Sequence, residues 1–401
     1  MTATTAISAR RAATVEFEHV TKVFGTTTPG QGTPVAPGAV NDLSFQVPAG
    51  RICVLVGPSG CGKTTSLKMV NRLIEPTGGR ILIDGVDAAT RDVTELRRSI
   101  GYVIQSTGLF PHQTVGANVA VVPRLLGWDA VRQRERTDEL LALVGLDPAR
   151  YRNRYPSQLS GGERQRVGVA RALAVDPPLM LMDEPFGAVD PIVRDRLQNE
   201  FLRLQDELAK TILFVTHDID EAIKLGDLVA VLGQGGRLAQ FGPPAEILAN
   251  PASGFVARFV GADRGLKRLS LVRVGDLPLH EAITARPGDS AAEARARALA
   301  DPFGYLLLVD DDRRPIGWVD LRDLPDERGP GSSVAMLSAD LAVSMSPLLE
   351  PETTARDALS MLLDAAVQAG IVVDSAGRVV GLVTVDAISA VMRASGTHPA
   401  G

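Results

Sequence analysis

The chain is predicted to be α/β, built on a largely parallel sheet and followed by a smaller α+β unit present in two copies. Three observations lead there. From residue 13 to about 262, short apolar runs alternate with amphipathic segments, the pattern of strands and covering helices around a parallel sheet. Several of those runs end in Gly-rich, acidic or His-containing turns, and in open α/β sheets ligands gather at the carboxyl ends of strands. From about residue 271 the sequence repeats without gaps at an offset of 64. Pro287 falls on Pro351, Ser290 on Thr354, Val309-Asp310 on Val373-Asp374, Arg314 on Arg378 and Gly317 on Gly381.

Bulk properties narrow the function. A length of 401 residues exceeds one ordinary domain. The 42 basic and 47 acidic residues leave a net charge of −5, which supplies no field for gripping a polyanion, so a nucleic-acid partner is disfavoured. The two cysteines, Cys53 and Cys61, build no disulfide framework and fit a reducing cytosol; Cys61 is a candidate for thiol reagents. The apolar runs, such as 305–309 and 119–122, fall far short of the roughly 18 residues that cross a bilayer. If the protein moves a solute, other subunits must form the pathway. Residues 1–12 hold Arg10 and Arg11 with no apolar stretch behind them, which reads as a frayed tail rather than a secretory signal; 396–401 reads as a second tail.

Along the first unit, 13–262, a strand is expected over 15–24, ending at Phe24, then a Thr-, Pro- and Gly-rich loop over 25–38. A strand over 51–56 leads into Gly57-Pro58-Ser59-Gly60-Cys61-Gly62-Lys63-Thr64, followed by Thr65 and a helix-compatible run. Gln105 closes the run 102–105. About 106–160 reads as an inserted helical subdomain, with helical spacing over 129–144. Leu159-Ser160-Gly161-Gly162-Glu163 opens a helix that runs to about Asp176, where Pro177 and Pro178 stop it. Strands follow over 179–182, ending in Asp183-Glu184, over 212–215, ending in Thr216-His217-Asp218, and over 228–232. A basic linker over 263–271 leads to repeat copies at 272–332 and 338–395.

The motif at 57–64 matches G-x-x-x-x-G-K-[ST] at every position. Its glycines let backbone N–H groups converge on phosphates, Lys63 reaches the β and γ oxygens, and the Thr64 hydroxyl ligates Mg²⁺. Adjacent carboxylates at the end of the 179–182 strand allow one, Asp183, to hold the metal while the next, Glu184, faces the attacking water. A helix N-terminus with a hydroxyl and two glycines, as at Ser160, Gly161 and Gly162, is built to approach a phosphate. Neither repeat copy holds a nucleophile, a base and an orienting group together, so regulation or assembly is the better expectation there.

The phosphate loop and the 159–163 signature, in this order and spacing, resemble the nucleotide-binding subunit of an ABC transporter. The implied fold is an α/β P-loop NTPase of ABC type with an inserted helical subdomain, followed by a tandem CBS (α+β) domain pair. The resemblance implies ATP and Mg²⁺ as cofactors, Glu184 as general base, His217 as a switch contacting the γ-phosphate, and Gln105 as a link from Mg²⁺ and water to the helical subdomain. It makes Phe24 the aromatic that stacks on adenine. It places Ser160, Gly161, Gly162 and Asp190 on ATP held by a second copy, in a homodimer of ATPase subunits.

Longer stretches are similar to the ATPase subunits of importers for glycine betaine, carnitine, choline and related quaternary amines. These are Asn71-Arg72-Leu73-Ile74-Glu75-Pro76-Thr77-Gly78-Gly79, residues 100–105 with Gly108-Leu109-Phe110-Pro111-His112, and residues 215–222. Such a protein lies at the cytoplasmic face of the membrane with two permease subunits and an extracytoplasmic solute-binding protein. Its CBS pair would bind a cyclic dinucleotide, sense ionic strength, or only dimerise. In the second copy Thr384-Val385-Asp386 departs from the ribose-contacting pattern of CBS units, as Asp320-Leu321-Arg322-Asp323 does in the first. An importer for another solute such as an amino acid, and an ABC ATPase outside transport, remain as alternatives.

Overall fold

The computed structural model describes residues 12–24, 38–105, 108–187, 190–300, 306–322, 324, 335–343 and 347–393. Residues 25–37 of the expected loop at 25–38, residues 1–11 of the expected tail at 1–12, and the expected tail at 396–401 lie outside them, as does Asp323. Contacts divide the chain into two units, Met1–Gly261 and Ala262–Gly401.

The described residues of the first unit form strands β1 (Val15–Lys22), β2 (Val40–Val47), β3 (Ile52–Val56), β4 (Gly78–Ile83), β5 (Val86–Asp87), β6 (Ile100–Val103), β7 (Leu179–Asp183), β8 (Thr211–Thr216), β9 (Leu228–Leu232) and β10 (Leu238–Gly242). A six-stranded sheet runs β10-β9-β3-β8-β7-β6. Its neighbours from β9 to β6 are parallel, and β10 joins the edge antiparallel. Every residue of β3, β7 and β8 is buried, which is why these strands read as unbroken apolar runs rather than alternating ones. Register then decides where chemistry collects. Val56 pairs with Thr216 and Asp183 with Val215, so the chain leaves β3, β7 and β8 at one edge and delivers three motifs side by side.

A second, antiparallel sheet, β2-β1-β4-β5, was not anticipated. β2 alternates buried and exposed residues, the mark of a strand with one face on a core. Phe17 of β1 stacks on Phe45 of β2 at 4.6 Å, and both join Leu55, Leu67, Leu181 and Leu213 in one cluster. β1 stops at Lys22, short of the expected Phe24: its last pairings are Lys22 with Val40 and Thr21 with Gly78, and beyond them no ladder continues. Between β6 and β7 stand helices Val115–Val119, Val121–Leu125, Ala130–Leu143, Pro148–Tyr151 and Gly161–Ala172. The last ends sooner than the expected Asp176. The guanidinium of Arg136 takes the carbonyls of Leu173 and Ala174, and Asp176 adopts a left-handed φ of 53°.

In the second unit the expected linker is a helix, Arg264–Leu269. Its Leu269 is fully buried in a cluster with Leu349, Leu362, Val372, Val383 and Ile388, so hydrophobic burial fixes a stretch that its charges made look like a connector. Two three-stranded sheets follow, from β11 (Thr284–Ala285), β12 (Leu306–Val309) and β13 (Pro315–Val319), and from β14 (Leu348–Leu349), β15 (Ala369–Val373) and β16 (Val379–Thr384). Each pairs parallel, then antiparallel. Asp310 and Asp374 serve alike, each accepting two backbone N–H bonds that shape the turn before the last strand. No helix among the described residues is long and apolar enough to cross a membrane.

Candidate functional site

β3 feeds the loop 57–62 into the helix Lys63–Val70. Gly62 precedes that helix with φ 99°, and a Cβ there would meet the Ala39 carbonyl at 2.2 Å, so only glycine fits. A Cβ on Gly57 would stand 2.3 Å from the Leu232 carbonyl. Lys63 is 6 % exposed, and its ammonium donates to the carbonyls of Gly57 at 2.7 Å and Pro58 at 3.0 Å. Residues 59–65, Ala39 and Glu184 line a cleft of about 250 Å³. Cys61, expected to be open to thiol reagents, is buried, and burial pushes its thiol up, away from the reactive thiolate.

The Thr64 hydroxyl donates to Asp183 Oδ1 at 2.8 Å. Asp183 is 4 % exposed; burial raises its carboxyl above the ordinary range, and the Thr64 bond and the charge of Lys68 pull the other way. Glu184 sits at φ 45°, an uncommon conformation for a residue with a side chain, held by its N–H donating to the Val215 carbonyl at 2.9 Å. Its Oε2 accepts from Gln105 Nε2 at 3.1 Å and lies 3.3 Å from His217 Nδ1. Three expected residues from three segments thus meet on one carboxylate oxygen at the cleft.

Ser160, Gly161 and Gly162 start the helix Gly161–Ala172. The hydrogen bonds of Ser160 stay within its own helix, to Glu163 and Arg164, and a Cβ on Gly161 would meet nothing within 4 Å while one on Gly162 would stand 3.5 Å from Val193, so the Ser160–Gly161 side of the turn is open. Asp190 is exposed immediately before the helix Pro191–Leu208, where its carbonyl accepts from Arg194 N–H at 2.8 Å. Phe24 is 54 % exposed, with Lys22 Nζ 5.2 Å from its ring centre.

Sequence reasoning missed two links. Arg171, near the end of the 161–172 helix, donates to the Gly108 carbonyl at 2.6 Å, tying that helix to the segment after Gln105. Asn118 is fully buried and bonds both the N–H and the carbonyl of Phe110, which pins the 110–114 loop. Neither residue belongs to a motif; an Asn inside an apolar helical stretch was the one signal available.

The ABC transporter pattern matches residues 40–187, and the CBS domain pattern matches 274–327 and 340–394. The osmoprotectant import ATP-binding protein OsmV of Salmonella typhimurium is 46 % identical over 376 residues, spanning 94 % of this chain and 95 % of that protein. The chain belongs to the ATP-binding proteins of ABC transporters. This ABC protein is also 45 % identical to the choline transport ATP-binding protein OpuBA of Bacillus subtilis, over 86 % of its length and 90 % of the relative's. In structure it is similar to the ATP-binding cassette MJ0796, seen as a dimer bound to ADP and Pi, with a TM-score of 0.50, 32 % identity, and coverage of 57 % of this chain and 98 % of that one. The ABC-type α/β fold followed by a CBS pair is therefore established, and with it nucleotide binding by the first unit.

Proposed function

We propose that two copies of this ABC protein hydrolyse ATP between them and thereby drive uptake of a quaternary-amine osmoprotectant through two membrane permease subunits. An extracytoplasmic binding protein delivers the solute, and the ATPase sits peripherally at the cytoplasmic face. The observation that carries the reading is the meeting of Gln105, Glu184 and His217 at the phosphate-loop cleft, beside the Thr64–Asp183 pair. Likeness to importer subunits for choline and other osmoprotectants supports the cargo class.

In this reading the backbone N–H groups of the loop and Lys63 bind the phosphates. Thr64 and Asp183 offer a hydroxyl and a carboxylate oxygen side by side, a hard-oxygen pair that would hold Mg²⁺. Held there, Mg²⁺ would neutralise charge that develops on the phosphates. Glu184 takes a proton from the attacking water, and Gln105 and His217 fix where its carboxylate points. Phe24 offers an exposed ring for adenine. Ser160, Gly161, Gly162 and Asp190 serve the nucleotide of the second copy, and the CBS pair tunes activity or assembly.

The test is ATP hydrolysis by the chain assembled with its permease subunits in liposomes. Glycine betaine, carnitine, choline, proline and an unrelated amino acid are offered at low and high internal salt. Stimulation by a quaternary amine is expected; stimulation by the unrelated amino acid alone would overturn the cargo and leave the ATPase intact.

A further inference from the structure

Ser160 opens its helix with a reciprocal cap. The Glu163 N–H donates to Ser160 Oγ at 3.2 Å, and the Ser160 N–H donates to Glu163 Oε2 at 2.7 Å. A capping box needs one side-chain oxygen at this position, and Gln supplies it as well as Glu. Here the second oxygen, Oε1, accepts from the Tyr151 hydroxyl at 2.6 Å. Tyr151 closes the separate short helix Pro148–Tyr151, so this bond ties the turn to a neighbouring segment. The Tyr151 bond, then the Ser160 N–H, hold the Glu163 carboxyl below the usual range, and the same carboxylate pushes the Tyr151 hydroxyl up. Arg164 Nη1 adds a bond to the Leu159 carbonyl at 2.6 Å. The chain is thereby held on both sides of Ser160, while Gly161 faces open space. Two acceptor oxygens meeting two donors from different segments is more than helix capping requires.

We propose that Glu163 and Tyr151 are positioning residues for hydrolysis, fixing the angle at which the turn of Ser160, Gly161 and Gly162 meets the nucleotide of the second copy. This rests on the reading that the turn acts across the dimer, and it assigns what orients it. Glu163→Ala removes the clamp and should lower kcat about ten- to a hundredfold, while nucleotide binding by single chains stays unchanged. Tyr151→Phe releases one of the two oxygens and should lower kcat several-fold. Glu163→Gln still accepts from the Ser160 N–H and can donate to the phenol oxygen, so kcat should stay within about threefold of the parent.

Mixing full-length chains separates positioning from mere folding. In a mixed pair of a Glu163→Ala chain and a Glu184→Gln chain, the first chain's phosphate loop and Glu184 face an intact Ser160 turn. Hydrolysis above the sum of the two variants alone is expected. A Ser160→Ala chain mixed in the same way reports on the trans arrangement itself. If Ser160→Ala is rescued and Glu163→Ala is not, the assignment of Glu163 is wrong. If neither is rescued, the head-to-tail reading falls and the proposal with it. Loss of kcat in Glu163→Gln as deep as in Glu163→Ala would also overturn it, provided both variants keep the parental unfolding midpoint.

Discussion

The two units bury different things. Among the described residues the first unit encloses four Lys, Asp or Glu side chains, Lys63, Asp183, Lys210 and Glu221, whereas the second encloses one, Lys267. Desolvating a charge costs several kcal/mol unless partners replace the lost water. Lys210 is paired with Asp176 at 2.9 Å, and Glu221 with Gln198 at 2.9 Å. Lys63 and Asp183 are satisfied by loop carbonyls and by Thr64, groups that lie where phosphate and metal would act. In the second unit the acids with shifted carboxyls, Asp320 and Asp374, lie just after strands, at turns. Arg322 holds Asp320 down to about 2, and Asp374 stays below the ordinary range through the backbone N–H of Arg378. Buried charge gathers at the candidate site of the first unit, whereas Asp320 and Asp374 of the second shape turns.

The largest effect expected from that contrast is at Glu184. Glu184→Gln should cut hydrolysis about 10²–10⁴-fold with nucleotide binding retained, measured as turnover and as equilibrium binding. Asp374→Asn, its counterpart in the second unit, should change turnover by less than about twofold, as expected of a half-buried residue whose bonds shape a local turn. Equal losses in the two variants would break the contrast.

A smaller effect, with opposite signs in activity and stability, is expected at Asp183. Its carboxyl is raised in the folded protein, so it holds a proton more readily there than in the unfolded chain. The ionised side chain therefore costs stability at neutral pH. That cost fades as pH falls through the raised folded value and is gone below the unfolded value, about 3.9. Asp183→Asn should lower hydrolysis at least about tenfold yet raise the melting midpoint at pH 7, and the gain should vanish in acid. A midpoint that drops at pH 7 would mean that the Thr64 bond outweighs desolvation.

Most of this site was legible because its parts are contiguous motifs, and what was missed is mostly contact between segments. The loop 57–64, Asp183-Glu184 and Ser160-Gly161-Gly162 each announce phosphate or metal chemistry by local pattern. The bond from Gln105 to Glu184 spans 79 positions, and no spacing rule predicts it; only the resemblance placed Gln105 at the site. Strand register does so physically, by pairing Val103 at the end of β6 with Met182 near the end of β7, next to Asp183-Glu184. Tyr151 escaped notice because its role depends on a four-residue helix folding back onto Glu163. The antiparallel sheet escaped because β1 is interrupted by register shifts after Phe17, which blur its period of two. The helix Arg264–Leu269 was read as a linker because three charges mask one fully buried leucine.

That leucine gives the smallest expected effect on turnover and the most direct test of the contrast. Leu269 is fully buried among Leu349, Leu362, Val372, Val383 and Ile388, so Leu269→Ala should destabilise the second unit by about 2–5 kcal/mol through lost burial and a cavity. Because the catalytic candidates all lie before Gly261, ATP turnover should stay within about twofold while a second, earlier transition separates in the thermal melt. Truncation discriminates further. A chain ending at Gly261 should keep that turnover, whereas one ending at Arg268 keeps most of a helix without the core that folds it and should aggregate sooner on heating. A tenfold fall in turnover from Leu269→Ala alone would mean that the apolar core of the second unit is coupled to the chemistry of the first, and the division of labour drawn from buried charge would have to be abandoned.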